Sequence, residues 1–248
     1  PLLSPVVISS HPNEAWPVEQ RALAQTIRAA GGGQVISVQR ALATALGSNL
    51  PITGDASQMV MDLGAGITNV GVIAMGMTTT GISIRYGGDD LDEAIRRAIK
   101  RSQGVRISLA SAEQAKLHVG TLLPPDESEY MRLDSVGPNG ESALSADVSL
   151  TEVPELLARA LGRIVSETSW LLEELPPQQQ AEIAANGAAL TGGGALLGGI
   201  DAFLAERLGI PVRVATDPAS CTILGLESVL NDPQAISLDG RRYRARHG

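Results

Sequence analysis

Along this chain the period of the apolar positions changes repeatedly, and each change marks an element. PVVISS (residues 5–10) is a short β-branched run closed by turn residues and reads as a strand. In VEQRALAQTIRAAGGG (18–33), Val18, Leu23, Ile27 and Ala30 fall at helical spacing, and Gly31, Gly32 and Gly33 end the helix. VISV (35–38) is a second buried strand and ALATALG (41–47) a short helix. This order of strand, helix, strand and helix predicts a mostly parallel sheet covered by helices.

A turn-like stretch (51–57) precedes MDLGAGITNVGVI (61–73), an apolar strand entry, a glycine-rich turn and a second apolar strand. MTTTGISIRYGG (77–88) alternates at Ile82, Ile84 and Tyr86, so a three-stranded antiparallel meander is the simplest assembly. DDLDEAIRRAIKR (89–101) predicts a helix capped by Asp89 or Asp90, with Lys100 and Arg101 complementing the dipole at its end. SLASAEQAKLHVGTL (108–122) contains another short helix, with Ser111 as its expected cap.

Residues 124–144 turn rich in Pro, Asp, Glu, Ser, Gly and Asn, and Tyr130, Arg132 and Leu133 suggest strands of a small subdomain. Val153, Leu157, Leu161, Ile164, Thr168, Leu171 and Leu175 form one stripe of a long amphipathic helix from about Thr151 to before Pro176 and Pro177. AALTGGGALLGGI (188–200) then gives a strand, three glycines and a helix expected from Ala195. The remainder predicts a helix, a strand at 212–215, a turn through Asp217 and Pro218, and a final helix. The glycine-rich segments share no fixed period, so no solenoid is expected.

Composition narrows the function classes. An apolar fraction of 44% over 248 residues fills ordinary cores, for one large or two modest domains. The net charge of −8 argues against nucleic acid as a partner of the whole surface, and aromatic residues at 2% leave no base-stacking platform. The basic tail RRYRARHG (241–248) reads as a solvated terminus. Cys221 is the single cysteine, which fits a reducing, cytoplasmic setting. His11, His118 and His247 lie far apart, so no histidine metal site is expected. No apolar stretch is long enough to cross a bilayer.

The candidate chemistry lies in the glycine turns. In DLGAG, Gly64 and Gly66 permit close approach of backbone N–H groups to an anion, and Asp62 ahead of them is placed to hold Mg²⁺ through water. Taken alone, the stretch reads equally well as a tight hairpin. TGGGALL (191–197) is a strand-to-helix junction suited to anion contact or to close packing. In AEQAK, Glu113 and Lys116 share a helix face, which alone reads as a surface ion pair.

In combination, DLGAGITN, GGDDLDEAI, AEQAK and LTGGGALLGGIDAFLAERLGIPVRVATDP stand in the order and approximate spacing of the MreB family of bacterial actin-like rod-shape-determining proteins. Almost the whole chain resembles that family. Chaperone ATPases and actin share its phosphate turn but match the second and last segments less well. The resemblance implies an α/β, actin-like ATPase fold with ribonuclease H-like lobes and mixed sheets covered by helices. It implies ATP and Mg²⁺ as ligands, self-association into filaments, partners among membrane-associated morphogenesis proteins, and a cytoplasmic location along the inner membrane. Residues 1–55 would be the remnant of an incomplete first lobe. Residues 56–103 and 151–228 would form the large subdomain of the second lobe, 104–150 its small subdomain, and 229–248 a C-terminal helix and tail.

By motif, Asp62 resembles the magnesium-side aspartate, and Gly64, Ala65, Gly66 and Thr68 the turn that binds the outer phosphates. Glu113, Gln114 and Lys116 resemble the nucleoside contacts. Gly192, Gly193, Gly194, Ala195 and Leu196 resemble the loop beneath the α-phosphate and adenosine. Residues 10–13 would occupy a loop of the first lobe.

Departures from the family pattern set the second expectation. Its first phosphate hairpin does not occur in this sequence, and the start at Pro1 suggests a processed, trimmed or partial product. Gln39 and Arg40 stand where the family usually has two glutamates, and neither acts as a carboxylate base, so no catalytic residue is assigned. Ala65, Ile67 and Asn69 replace a glycine, a hydroxyl and a carboxylate of the usual turn. The expectation is an ATP-binding cytoskeletal protein of cell shape with weak or absent hydrolysis. The alternative is a nucleotide-insensitive scaffold of the same fold; a sugar-kinase-like enzyme would need a cleft carboxylate that residues 39–47 lack.

Overall fold

A computed structural model describes residues 4–123, 128–137, 145–232, 237–238 and 241–242. Parts of the expected small subdomain (124–127 and 138–144) and the end of the basic tail lie outside the described residues.

The chain opens with strand β1 (Val7–His11), helix α1 (Pro17–Ala29), β2 (Val35–Gln39) and α2 (Arg40–Gly47). β1 and β2 pair in parallel, Val7 opposite Val35, as the alternation predicts. α1 covers them incompletely: Leu23 and Ile27 are half-buried, whereas Val18 and Ala30 are exposed. The meander follows as β3 (Gln58–Leu63), β4 (Thr68–Ala74) and β5 (Met77–Ile84).

Helix α3 (Gly88–Gln103) is capped at Gly87, two or three residues before the expected Asp89 or Asp90, because Asp90 sits at its third position and accepts from the Gly87 N–H at 2.9 Å. Helix α4 (Leu109–Val119) is capped by Ser108 rather than Ser111; the Ser108 hydroxyl accepts from the Ser111 N–H at 3.0 Å. β6 (Tyr130–Leu133) and β7 (Ala146–Ser149) form a small antiparallel pair.

The predicted long helix is divided into α5 (Val153–Ala160) and α6 (Gly162–Glu174), broken at Leu161 before Gly162. Its stripe survives the break: all seven of its residues are buried. α7 (Pro177–Asn186), β8 (Ala188–Thr191), a 3₁₀ turn (Gly193–Leu196), α8 (Ile200–Leu208), β9 (Val212–Val214) and α9 (Cys221–Asn231) follow. The helix expected from Ala195 thus begins at Ile200, with a single 3₁₀ turn in front of it. Two short strands, β10 (Ser237–Leu238) and β11 (Arg241–Arg242), pair at the end.

The central sheet has the order β5-β4-β3-β8-β9, antiparallel through the meander and parallel from β3 onward. Mixed pairing with helices on both faces explains why every residue of β3 and β4 is buried. Side chains of a strand alternate between faces. Met59, Met61 and Leu63 therefore join the large core with Leu91, Ile95, Leu157 and Ile164, and Val60 joins a second core with Ala41, Leu42, Ala45 and Val229. Asp62, in step with Val60, faces the side of α2, and this alternation sets the site.

α2 and α9 cross through paired glycines. A Cβ on Gly47 would overlap the Cys221 carbonyl, and one on Gly225 the Ala43 carbonyl. Between them the Thr44 and Thr222 hydroxyls lie 3.0 Å apart. Asn13 ties the 12–16 loop to the meander. Its amide donates to the carbonyls of Val70 and Ile82 at 3.0 and 3.3 Å, and its oxygen accepts from the Ala41 N–H at 3.0 Å.

Candidate functional site

The end of β3 is the centre of the site, because two glycine turns close on it. After Leu63 the chain reverses through residues 64–67, with the Gly64 N–H donating to the Ile67 carbonyl at 3.1 Å. The Gly64 and Ala65 carbonyls then accept from the N–H groups of Gly88 and Asp89, at 3.0 and 2.9 Å. The turn thereby satisfies two donors that an α-helix leaves open in its first turn. Gly87 permits this approach, since a Cβ there would overlap both carbonyls.

The second turn packs from the neighbouring strand. Asp62 lies opposite Thr191 in the β3–β8 register. Gly192, at φ +83°, passes so close that a Cβ would overlap the Leu63 carbonyl and approach Asp62 Oδ1 to 2.8 Å. Gly194 packs on the Leu63 side chain, whereas Gly193 has nothing within 4 Å of a built Cβ. Close packing thus accounts for Gly192 and Gly194. Gly193, and Gly66 with only the Asp89 carboxylate at 3.9 Å, leave backbone open to an approaching anion. Ala195 is buried and Leu196 is 65% exposed.

Asp62 is buried, and its Oδ2 lies 3.6 Å from Arg40 Nη1. Its Oδ1 accepts from the Thr191 hydroxyl at 3.4 Å. Burial pushes the Asp62 carboxyl above the usual range, and Arg40 and Thr191 oppose that shift. Gln39, at the end of β2, precedes α2 directly. Thr68 is fully buried, and its hydroxyl donates to the Tyr86 carbonyl at 2.8 Å.

Lys116 is not paired with Glu113, as spacing alone suggests. Its ammonium lies 2.9 Å from both oxygens of Asp92 and 3.2 Å from the Gly88 carbonyl. Burial raises the Asp92 carboxyl, opposed by Lys116. The bond therefore holds α4 against the first turns of α3, on which the 64–67 turn also rests. Glu113 and Gln114 are exposed on α4. The end of α4 reaches the other turn as well: the Gly198 N–H donates to the Gly120 carbonyl at 2.7 Å, and the Leu122 N–H to Gly198 at 2.9 Å.

A cavity of about 520 Å³ adjoins the first turn, lined in part by Ser10, His11, Trp16, Ile67 and Arg85. Of residues 10–13, expected in a first-lobe loop, Ser10 and His11 instead end strand β1, and with Pro12 they line this cavity beside the turn. Among the described residues no cluster of three or more His, Cys, Asp or Glu is placed to hold a metal, and no helix is long and apolar enough to cross a membrane.

The expected magnesium position at Asp62 has a donor set of one carboxylate, with a guanidinium facing one oxygen and a hydroxyl donor facing the other. Water and phosphate complete magnesium's shell, so a single carboxylate is no obstacle; the Arg40 guanidinium 3.6 Å from that carboxylate is, because it repels the ion and competes for the same oxygen, and these residues therefore do not fit it. Sequence reasoning missed Asp92 and Thr191 as partners. Asp92 was detectable, because it falls three and seven residues before Ile95 and Ile99, an acid on the buried stripe of α3.

The profile described as MreB/Mbl protein matches residues 2–238. The chain belongs to this family. It is 37% identical over 224 residues to the cell shape-determining protein MreB of Escherichia coli K12, covering 90% of this chain and 64% of that protein. The chain thus spans less than two thirds of that MreB. Among solved structures it is similar to MreB5 of Spiroplasma citri bound to AMPPNP, with TM-score 0.84 and 27% identity, covering 91% of this chain and 68% of that one. The same protein bound to ADP superposes equally well. The MamK double helical filament, at TM-score 0.77 and 19% identity over 94% of this chain and 70% of that one, shares the fold. The actin-like α/β architecture expected of an MreB relative is therefore present, with the matched segment carrying both glycine turns.

Proposed function

We propose that the cleft formed at the end of β3 binds ATP or ADP, and that the chain works as a filament-forming protein of cell-shape determination with weak or absent hydrolysis. The observation that carries this reading is that the 64–67 turn leaves β3 directly after Leu63 while Gly192 and Gly194 pack on that same residue, with α4 bonded to the first turn of α3 beneath the former and its C-terminal end to Gly198 beyond the latter. Family membership and nucleotide-bound structures of MreB5 support the ligand class. In this reading Gly66 and Gly193 approach the phosphates, and Glu113 and Gln114 on the exposed face of α4 meet the nucleoside. The protein acts in the cytoplasm at the inner face of the membrane with morphogenesis partners.

Titration with ADP or AMPPNP tests the cleft directly: saturable binding with a rise in melting temperature is expected, and no shift at millimolar nucleotide refutes it. Sedimentation with and without ATP tests self-association; no pelletable polymer under either condition refutes that part. A second reading, a nucleotide-insensitive scaffold, is favoured by Gln39 and Arg40 in place of carboxylates. Phosphate release separates weak turnover from efficient turnover. Rates on the order of 0.01 per second or faster, those of slow intrinsic nucleotide hydrolases, would contradict the proposed loss of hydrolysis.

A further inference from the structure

The cation nearest the buried carboxylate of the cleft is part of the protein. Arg40 is the first residue of α2, and β3 directs Asp62 toward that helix. The Asp62 side chain is 7% exposed and that of Arg40 36%, so the carboxylate is enclosed while the guanidinium still reaches solvent. Oδ2 faces Nη1, and Oδ1 is occupied by Thr191 and walled by Gly192. A guanidinium carries five N–H donors in a fixed plane, which suits carboxylate and phosphate oxygens alike. With Nη1 beside Asp62 and 36% of the side chain exposed, the guanidinium has further donors beyond those one carboxylate can take.

We propose that Arg40 takes the place of a divalent cation at Asp62, neutralising the carboxylate and offering its remaining donors to nucleotide phosphates, so that the cleft binds ADP without requiring Mg²⁺. This rests on the nucleotide reading above. Its chemical consequence is specific. A mobile, exchangeable double charge with ordered waters is replaced by a tethered single charge that holds phosphate but supplies no metal-bound water.

The test uses the whole chain as wild type, Arg40→Gln and Arg40→Lys, with a fluorescent ADP titrated in EDTA and in about 10 mM Mg²⁺. Wild type and Arg40→Lys should bind with affinities that differ by less than about three-fold between the two buffers. Arg40→Gln should bind at least about ten-fold more weakly in EDTA and recover in Mg²⁺. In melting experiments without nucleotide, Mg²⁺ should raise Arg40→Gln by about 3 °C and leave wild type unchanged. Wild-type binding that is ten-fold tighter in Mg²⁺, or an equal Mg²⁺ response of wild type and Arg40→Gln, overturns the proposal. If wild type binds no ADP in either buffer, the nucleotide reading falls. The melting comparison then decides the cation replacement by itself, an Mg²⁺ rise confined to Arg40→Gln upholding it and any other pattern overturning it. If Arg40→Gln does not fold, the wild-type and Arg40→Lys titrations decide.

Discussion

Replacing Gly225 with alanine adds one methyl group where α9 crosses α2, and the added carbon has nowhere to go. It would overlap the Ala43 carbonyl oxygen and lie 2.6 Å from the carbonyl carbon, both rigid backbone of the opposite helix. Relief requires the helices to part by on the order of 1 Å, which forfeits a quarter to a half of each van der Waals well across the contact. The contact includes Ala41, Leu42, Ala45 and Val229, all buried, and the Thr44–Thr222 hydroxyl bond. Overpacking of a core costs about 1–3 kcal/mol where side chains can yield, and more where backbone must move. The lost hydroxyl bond adds about 1 kcal/mol. Against this stands a gain of about 1 kcal/mol in helix propensity for Gly→Ala. The net destabilisation is roughly 3 kcal/mol, or a fall of about 6–12 °C in melting temperature for a chain of this size.

Thermal unfolding followed by far-UV circular dichroism measures it. Gly47→Ala should behave similarly, since its methyl would overlap the Cys221 carbonyl from the other side of the same crossing. Once the helices have parted for one methyl, the second finds room, so the double variant should cost clearly less than the sum. A fall below about 2 °C for Gly225→Ala, or full additivity of the pair, would refute the close crossing.

Three further outcomes are expected. Lys116→Met leaves the buried Asp92 carboxylate without its cation and should lower stability by about 3 kcal/mol, while Asp92→Asn with Lys116→Met should recover part of it, both read by denaturant melts. Asn13→Ala removes three bonds that fasten the 12–16 loop to β4, β5 and α2, and should cost about 2–3 kcal/mol, read by denaturant melts. Arg96 and Arg97 hold the Glu93 carboxyl down to about 2, below its ordinary 4.5. A depressed carboxyl stabilises above its unfolded value and loses that contribution as pH falls from about 4.5 toward 2. Because both arginines are substantially exposed, the difference between wild type and Glu93→Gln should be no more than about 1 kcal/mol at neutral pH and vanish in acid.

Much of the fold was readable in the sequence where burial follows one period. Met59, Met61 and Leu63 alternate against Val60 and Asp62, and the stripe from Val153 to Leu175 stays buried even though the helix breaks at Leu161. α7 has no apolar stripe to reveal it, because PQQQAEIAAN is half polar, three of its apolar residues are alanine, and it buries only Ile183. Helix starts were displaced because capping depends on one hydrogen bond: Ser108 and Ser111 are the same residue type, and an aspartate such as Asp90 serves equally well as a cap or, as here, at the third position. The glycine crossing was invisible for another reason. Gly47 and Gly225 each follow a small residue by four positions, Ala43 and Cys221, but only the tertiary fold brings two such pairs, far apart in sequence, face to face. At the site, the glycine turns could be located from sequence, but the partners of their polar groups could not. The Lys116 bond to Asp92 and the Arg40 contact with Asp62 are long-range and leave no local pattern.

Those partners limit what the cleft can offer a ligand. The Gly64 and Ala65 carbonyls are committed to α3, the Thr68 hydroxyl to Tyr86, and the Lys116 ammonium to Asp92 and Gly88. Three of these four residues resemble phosphate contacts by motif and the fourth a nucleoside contact, yet the polar groups named here already satisfy one another within the protein. What remains outward is the backbone at Gly66 and Gly193, the Arg40 fork, and Glu113 and Gln114 on α4. Backbone edges and one arginine recognise phosphate by charge and shape, and none of them is a base for activating water. The groups that shape the cleft are therefore distinct from those that would work in it. Substitutions at Gly192 or Lys116 should act through stability alone, whereas substitutions at Arg40 should act on the ligand as well as on the buried Asp62 carboxylate.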